Sequence, residues 1–310
     1  MIARQMRDGE LDEALSVHPR IIGDELIGRR RAVAAWRSLL SNPAFAHVVL
    51  EFDRPVRGCR VAAFGASVFV SSAFVDDELR DPRPGLNARL IATIDAHCSA
   101  VVSLAELRRA NTFDGLNFVC LAATWRRDAL SPEQVAEVEA QMAVASLETF
   151  GGYRLRVVVT ELRDGVDMAQ AEAWRVFKII RFQPALGGLA VCDRSQALSV
   201  PGSVGAVLFH HREPVLGLSL TDQQLLAAAM RGSTDNALAD ALGVKLATVK
   251  KRWASVFDHV AKHECGVVPR SDGAVDRGTR GPQKRHLLLA YLRDHPEELR
   301  PHLPQPHNRR

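Results

Sequence analysis

The stretch from Leu218 to Val260 constrains the fold more than any other, because its punctuation divides it into three short helices. Gly232 closes the first helix, and the segment 233–235 supplies N-cap side chains for the second. Gly243 ends the second helix, and a third begins near Lys245. The third helix has one apolar stripe at helical spacing, made of Val249, Trp253, Val256 and Val260. The stretch is therefore predicted to be a bundle of three helices.

The opposite face of the third helix carries small residues and cations, as does a helix that enters the major groove of DNA. The predicted DNA contacts are Lys245, Thr248, Lys250, Lys251, Arg252, Ala254 and Ser255. Lys251, with Lys250, is expected to reach base edges, and Thr248, Lys250 and Arg252 to lie near phosphates, with Asp235 acting through capping. This arrangement is typical of a helix-turn-helix. A three-helix bundle that buries its own core and binds no nucleic acid has the same pattern.

The same stretch resembles the DNA-binding domain of LuxR/FixJ-type transcription regulators. The positions in register are Leu218-Ser219, Asp222, Gln224-Leu225-Leu226, Gly232, Leu238-Ala239, Leu242-Gly243-Val244 and Thr248-Val249-Lys250. The resemblance implies a regulator that binds palindromic double-stranded DNA as a homodimer. It also implies that Gln283–His295 is a fourth, dimer-forming helix, displaced by an inserted loop at 265–282.

Strands and helices share the first 200 residues, which predicts an α+β domain. The expected strands are His47–Phe52, Arg60–Phe74, Leu116–Thr124 and Tyr153–Leu162, with at least one of them buried on both faces. Ser131, Pro132 and Gln134 open a helix that runs to about Phe150, and Ala169–Ile180 has helical spacing. The order of elements loosely resembles acyltransferase-like and PAS/GAF-like sensor domains. No pyrophosphate loop is visible that would decide between them.

Composition excludes several classes of protein. The chain has 310 residues, 47% of them apolar and 25% charged, with a net charge of +4, as in ordinary globular proteins. No apolar run is long enough to cross a membrane, and the first residues lack the apolar core of a signal peptide. The five scattered cysteines form no C-x-x-C pair, which favours reduced thiols and a cytoplasmic location.

No motif indicates an enzyme, so no catalytic residue, no cofactor and no metal site is predicted. The close His/Cys pairs, His97-Cys98 and His263-Glu264-Cys265, lack the second pair that a zinc site needs. Four aromatic residues are candidates for a small-molecule pocket, although core packing is the more common role for each of them taken singly: Trp36, Trp125, Tyr153 and Trp174.

The sequence thus predicts a cytoplasmic transcription regulator without enzymatic activity. Its fold class is an α+β N-terminal sensor-like domain followed by an all-α helix-turn-helix DNA-binding domain. The predicted boundaries are a sensor domain at 1–200, a linker at 201–217, the DNA-binding domain at 218–295 with its inserted loop, and a tail at 296–310. Two alternatives remain: a sigma-factor-like promoter-reading protein, and an acyltransferase-like enzyme with a helical interaction module.

Overall fold

The computed structural model describes residues 1–7, 9–96, 100–183, 187–230, 232–262 and 281–303. The chain divides into two compact units, Met1–His210 and His211–Arg310. The predicted loop at 265–282 and both His/Cys pairs lie largely outside the described residues.

The first unit contains all the described strands. They are β1 (Ile2–Arg4), β2 (Phe45–Val56), β3 (Cys59–Val70), β4 (Leu116–Trp125), β5 (Leu155–Leu162), β6 (Lys178–Arg181) and β7 (Gly188–Asp193). Its helices are α1 (Leu11–Leu15), α2 (Arg29–Leu39), α3 (Ser72–Arg80), α4 (Leu86–Asp95), α5 (Leu104–Thr112), α6 (Pro132–Phe150), α7 (Gly165–Trp174), α8 (Arg194–Leu198) and α9 (Val204–Leu208).

These strands form one mixed sheet of seven, in the order β1-β2-β3-β4-β5-β7-β6. Neighbouring strands are antiparallel except β4 and β5, which are parallel. A parallel pair needs a crossover, and α6 supplies it. As predicted, Ser131 caps α6 in a capping box with Gln134, and Pro132 stands in its first turn.

Strand β3 is the central strand of the larger core. Every residue from Val61 to Val70 is buried, which confirms the expected strand with two buried faces. On one face Phe64 packs against Trp36 of α2, with ring centroids 6.1 Å apart. On the other, Phe69 contacts Phe118, Phe150 and Tyr153. Trp36 and Tyr153 are therefore core residues.

The region from 165 to 217 differs from its predicted structure. The helix expected over Ala169–Ile180 ends at Trp174, because Arg175 adopts a left-handed conformation with a φ of 55°, and β6 follows. The segment read as an irregular domain edge and linker contains β7, α8 and α9. Helix periodicity could not separate a short helix from the strand after it, since both are apolar.

The second unit is helical where it is described. It comprises α10 (Leu220–Met230), α11 (Asp235–Ala241), α12 (Leu246–Lys262), α13 (Gly281–Asp294) and a 3₁₀ turn at Pro296–Leu299. Its core includes the predicted stripe of α12 together with Leu288 and Leu292 of α13. The predicted tail begins with an ordered turn, in which the buried carboxylate of Glu298 accepts hydrogen bonds from the backbone N–H groups of Val215 and Leu216, at 2.8 and 3.0 Å.

The predicted fold class is wrong. The organising element of the chain is the seven-stranded mixed sheet, and neither a sensor domain nor a separate helix-turn-helix DNA-binding domain is identified. The physical reason is that short helices with i, i+4 apolar stripes bury a bundle core whatever their function, so the spacing did not specify DNA binding. Among the helices that the structure describes, none combines the length and apolar character that crossing a bilayer requires.

Candidate functional site between the parallel strands

The two parallel strands separate towards their carboxyl ends. Their ladder runs from Leu116 opposite Leu155 to Cys120 opposite Thr160, and stops there although both strands continue. Beyond this point, side chains replace the strand partner: the carbonyl oxygen of Leu121 accepts hydrogen bonds from Asn87 Nδ2 at 2.7 Å and Arg163 Nη2 at 3.0 Å. We call this opening between β4 and β5 the seam. In open α/β sheets, ligands bind at the carboxyl ends of the strands, where the seam lies.

A β-bulge at the seam decides which side chains face which way. Ser67 of β3 lies opposite Cys120, but the register then shifts by one residue, and Leu121 has no partner in β3. Side chains alternate along a strand, and the extra residue inverts that alternation. Ala123 and Trp125 consequently lie on the same face of the sheet as Cys120.

On this face a cavity of about 530 Å³ lies between the sheet and helices α6, α7 and α9. We call it the sheet cavity. Small side chains on both sides leave the space open: Gly65, Ser67, Cys120 and Ala123 on the strands, and Ala143 and Ser146 on α6. Helix α6 packs closely beside this space, because a Cβ atom on Gly65 would lie 2.5 Å from Met142 Cε. Trp125 and Trp174 also line the cavity, as the pocket interpretation of the aromatic residues required.

One hydrogen-bond donor in the sheet cavity has no acceptor. Trp125 is 8% exposed, and its indole Nε1 has no partner among the described residues. The Arg127 guanidinium lies 5.6 Å from the indole ring centre. A buried donor without a partner destabilises a protein by about 1–3 kcal/mol, so a ligand carbonyl that accepts from Nε1 would recover this energy.

The thiols in the sheet cavity are poor nucleophiles. Burial raises the pKa of Cys120, and burial together with the Asp193 carboxylate raises the pKa of Cys192 to about 11. Both are therefore protonated at neutral pH, and a thiol attacks far more slowly than a thiolate. His47 also lines the cavity beside Val48; burial lowers its pKa, and its ring stacks on Phe45.

A second pocket, of about 700 Å³, opens at the end of β5. It is lined by four arginines, Arg20, Arg83, Arg89 and Arg163, with Glu25, Glu161 and the start of α4, and we call it the arginine pocket. The segment Glu161–Arg163 lines both the sheet cavity and the arginine pocket, so the two meet at the seam.

Charge pairs fix the wall of the arginine pocket. Arg89 donates from Nε to the buried carboxylate of Glu78 at 2.7 Å and from its two other nitrogens to the carbonyl oxygens of Pro84 and Arg83. The N–H group of Gly85 donates to Glu161 Oε1 at 2.7 Å. The loop before α4 is thus attached to the end of β5.

Asn87 contributes an acceptor without a donor. It is 2% exposed, and its Nδ2 must face Leu121 because the carbonyl there can only accept. Its Oδ1 is therefore assigned unambiguously, and it has no hydrogen-bond partner in the part of the chain that the structure describes. Together with Glu161, it forms the polar edge of the seam.

The structure places the predicted DNA contacts on α12, except for Lys245, which immediately precedes the helix. Lys245, Lys250, Lys251, Ala254 and Ser255 are exposed, and Thr248 and Arg252 are half-buried. Asp235 does not cap α11, since Thr234 does, and instead pairs with Arg285 at 2.8 Å. Arg285 also lies over the Trp253 ring, 4.6 Å from its centre. Contact of these positions with DNA, dimerisation through Gln283–His295 and a small-molecule ligand stay predictions.

Comparison with known proteins gives a weak likeness to enzymes. No protein-family model and no curated protein matches the chain. Among solved structures, FeeM, an N-acyl amino acid synthase from uncultured soil microbes, has 13% identity and a TM-score of 0.35, covering 63% of this chain and 93% of its own. An agmatine N-acetyltransferase has 12% identity and a TM-score of 0.35, covering 61% and 96%. An uncharacterized protein from Bacillus halodurans has 10% identity and a TM-score of 0.32, covering 62% and 83%.

These matches correct the functional interpretation. Two of the three structures are named as N-acylating enzymes and none as a transcription regulator, so the predictions of a LuxR/FixJ-type DNA-binding regulator and of a chain without enzymatic activity are wrong. The alternative of an acyltransferase-like enzyme is the one that agrees. At these identities and TM-scores, the chemistry has to come from the residues of the site itself.

No catalytic residue of the site was identified from the sequence. The stretches Ala62–Ser67 on β3 and Ala143–Ser146 on α6 are rich in small residues, and where such residues face each other they leave a cavity. The seam itself left no local signal, because Asn87 and Leu121 are 34 positions apart.

Proposed function

We propose that the chain is an acyltransferase that moves an acyl group from a thioester donor to an amine. One observation carries the proposal: an apolar cavity and a polar pocket meet at the seam, where two parallel strands part. An apolar cavity binds an acyl chain by burying its methylenes, and a polar pocket binds an amine through hydrogen bonds. Their meeting point brings the two reacting groups together.

In the proposed reaction the amine nitrogen attacks the thioester carbonyl carbon. A C–N bond forms, the C–S bond breaks, and the thiol and the N-acyl product leave. Glu161 is the candidate general base that takes the proton of the attacking amine, directly or through one water. The N–H group of Gly85 holds one of its oxygens, and the other accepts no hydrogen bond from the described residues. The protonated thiols of Cys120 and Cys192 favour direct transfer over an acyl-cysteine intermediate.

The segment between β4 and α6 does not fit a phosphate cradle. It contains no glycine, and both of its arginines are occupied within the chain. Arg126 donates to Ser16 Oγ at 2.8 Å and to the carbonyl oxygen of Val61 at 3.0 Å, and Arg127 pairs with Asp167 at 3.0 Å. Donor recognition is therefore assigned to the acyl chain and to Trp125, and no step is assigned to a coenzyme phosphate.

The test is an acyl-transfer assay on the full chain. Acyl thioesters of increasing chain length, both free and bound to a carrier protein, are incubated with a panel of amines, and released thiol and N-acyl product are measured. Glu161→Gln is expected to lower kcat at least about 100-fold, because it removes the base. The control Glu172→Gln changes an exposed carboxylate of α7 that pairs with Arg181, and should leave kcat unchanged. No thiol release with any pair, or a Glu161→Gln variant as fast as wild type, would contradict the proposal.

A further inference from the structure

We infer that the acceptor is a small primary amine that also carries a carboxylate, bound in the arginine pocket by Asn87 and by the arginines there. This inference rests on the proposed function, and it names the substrate class of the same site. It follows from an unpaired buried acceptor and from two arginines without a salt bridge, all in the part of one pocket that the structure describes and next to the seam.

Two of the four arginines in the arginine pocket form no salt bridge among the described residues, although Glu25 and Glu161 line the same pocket. Arg89 is paired with Glu78, and Arg83 with Asp81 at 2.8 Å. Arg20 and Arg163 have no carboxylate within 4.0 Å among the described residues: Arg20 donates to the backbone carbonyl of residue 163, and Arg163 to that of Leu121. Two guanidinium groups with unused N–H donors fit a carboxylate, which accepts in a bidentate manner.

The amine position is fixed by Asn87. Its Oδ1 can only accept, and no donor of the described chain reaches it. A ligand N–H satisfies it. The other end of the same amide donates to the Leu121 carbonyl, so a nitrogen at Oδ1 lies next to the seam, in the pocket that Glu161 also lines. The nucleophile is thereby placed beside its base.

The wall that holds Asn87 is rigid before any ligand binds. Gly85, which precedes α4, has a φ of 92° and is fixed to Glu161, while Arg89 closes the loop against Glu78. Gly23 packs so closely on α4 that a Cβ atom there would lie 3.1 Å from the backbone nitrogen of Ala88. A preformed site selects by shape and hydrogen bonding, so an amine whose other end cannot accept from the guanidinium groups of Arg20 and Arg163 is expected to bind more weakly.

Binding is measured by titration calorimetry without a thioester, so that turnover is not needed. The probes share a four-carbon chain: 4-aminobutanoate, 1-aminobutane and butanoate, with inorganic phosphate as the competing anion. We expect 4-aminobutanoate to bind at least about tenfold more tightly than the other three, because it alone meets both Asn87 and the arginines. Phosphate binding as tightly as 4-aminobutanoate would overturn the inference and make the pocket a donor-phosphate site.

Variants test the two contacts separately. Arg20→Ala, an exposed position that should fold normally, is expected to weaken 4-aminobutanoate about tenfold and to leave 1-aminobutane unchanged. Asn87→Ser should weaken both amines, with melting temperature and circular dichroism as the folding check. The matched control is Arg80→Ala, an exposed arginine of α3 paired with Asp77 and outside the pocket. Arg20→Ala binding like wild type would overturn the inference.

The outcomes also separate the two proposals. If simple amines are acylated while 4-aminobutanoate neither binds nor reacts, the acceptor class is wrong and the transferase activity stands. If 4-aminobutanoate binds with the expected dependence on Arg20 but no thioester is consumed, the pocket assignment stands and the proposed function fails.

Discussion

The sheet cavity and the arginine pocket meet at the seam, yet they are built by opposite means. The sheet cavity exists because side-chain volume is missing on two facing elements, β3 and α6. The wall of the arginine pocket is a loop that charged side chains fix in place, to α3 through Glu78 and Arg89 and to the end of β5 through Gly85 and Glu161. We therefore expect substitutions that change side-chain volume to affect the sheet cavity, and substitutions that change charge to affect the arginine pocket.

The largest expected effect comes from filling the sheet cavity. Ser146→Phe places a ring in the space that an acyl chain would occupy. If about six methylenes lose their burial at about 0.8 kcal/mol each, transfer of a dodecanoyl group falls about 3000-fold relative to an acetyl group. The ratio of the two rates is the measurement. Val144→Phe, at an exposed position of the same helix, is the control; equal chain-length profiles for both variants would show that the cavity does not bind the chain.

The next effect concerns the thiols of the same compartment. Because the pKa of Cys192 is raised from 9.0 to about 11, its thiolate fraction at pH 8 is about 100-fold lower than that of an ordinary cysteine. Only the thiolate is alkylated, so labelling should be slow at pH 8 and should increase by about tenfold per pH unit until about pH 11. Peptide mass spectrometry after iodoacetamide treatment measures this rate. Labelling at pH 8 with the speed of a free thiol would mean that the cavity wall is open to water.

The arginine pocket gives the smallest of the three effects, and this effect is on stability and not on the preference for acyl-chain length. Glu78→Ala leaves the partly buried Arg89 without its partner and should lower the free energy of unfolding by about 2–3 kcal/mol, while the chain-length preference stays unchanged. Asp77→Ala removes an exposed pair on the same helix and should cost at most about 0.5 kcal/mol. Denaturant unfolding measures both. Similar losses would mean that the pair with Arg89 does not hold the wall.

Local signals in the sequence predicted local structure well. The cap of α6 and the buried stripe of α12 depend on residues three to four positions apart, and both were read correctly. The seam depends on contacts such as Asn87 with Leu121 and Gly85 with Glu161, which only the parallel pairing of β4 and β5 brings together. The functional prediction was wrong for the same reason. The strongest local sequence pattern lies in the helical unit, and the candidate site has no local sequence pattern.

The bulge at Leu121 makes the site respond differently to a one-residue deletion in β4 and to substitutions. Substitutions around the seam adjust the size or charge of one compartment at a time. Deleting Leu121 would restore the unbroken alternation with β3 without turning Ala123 or Trp125, since each keeps its partner in β3. It would, however, remove the backbone carbonyl oxygen that accepts from both Asn87 and Arg163, which no side-chain substitution can do. Laboratory libraries that include one-residue deletions in β4 will thus reach reorganised sites that no combination of point substitutions provides.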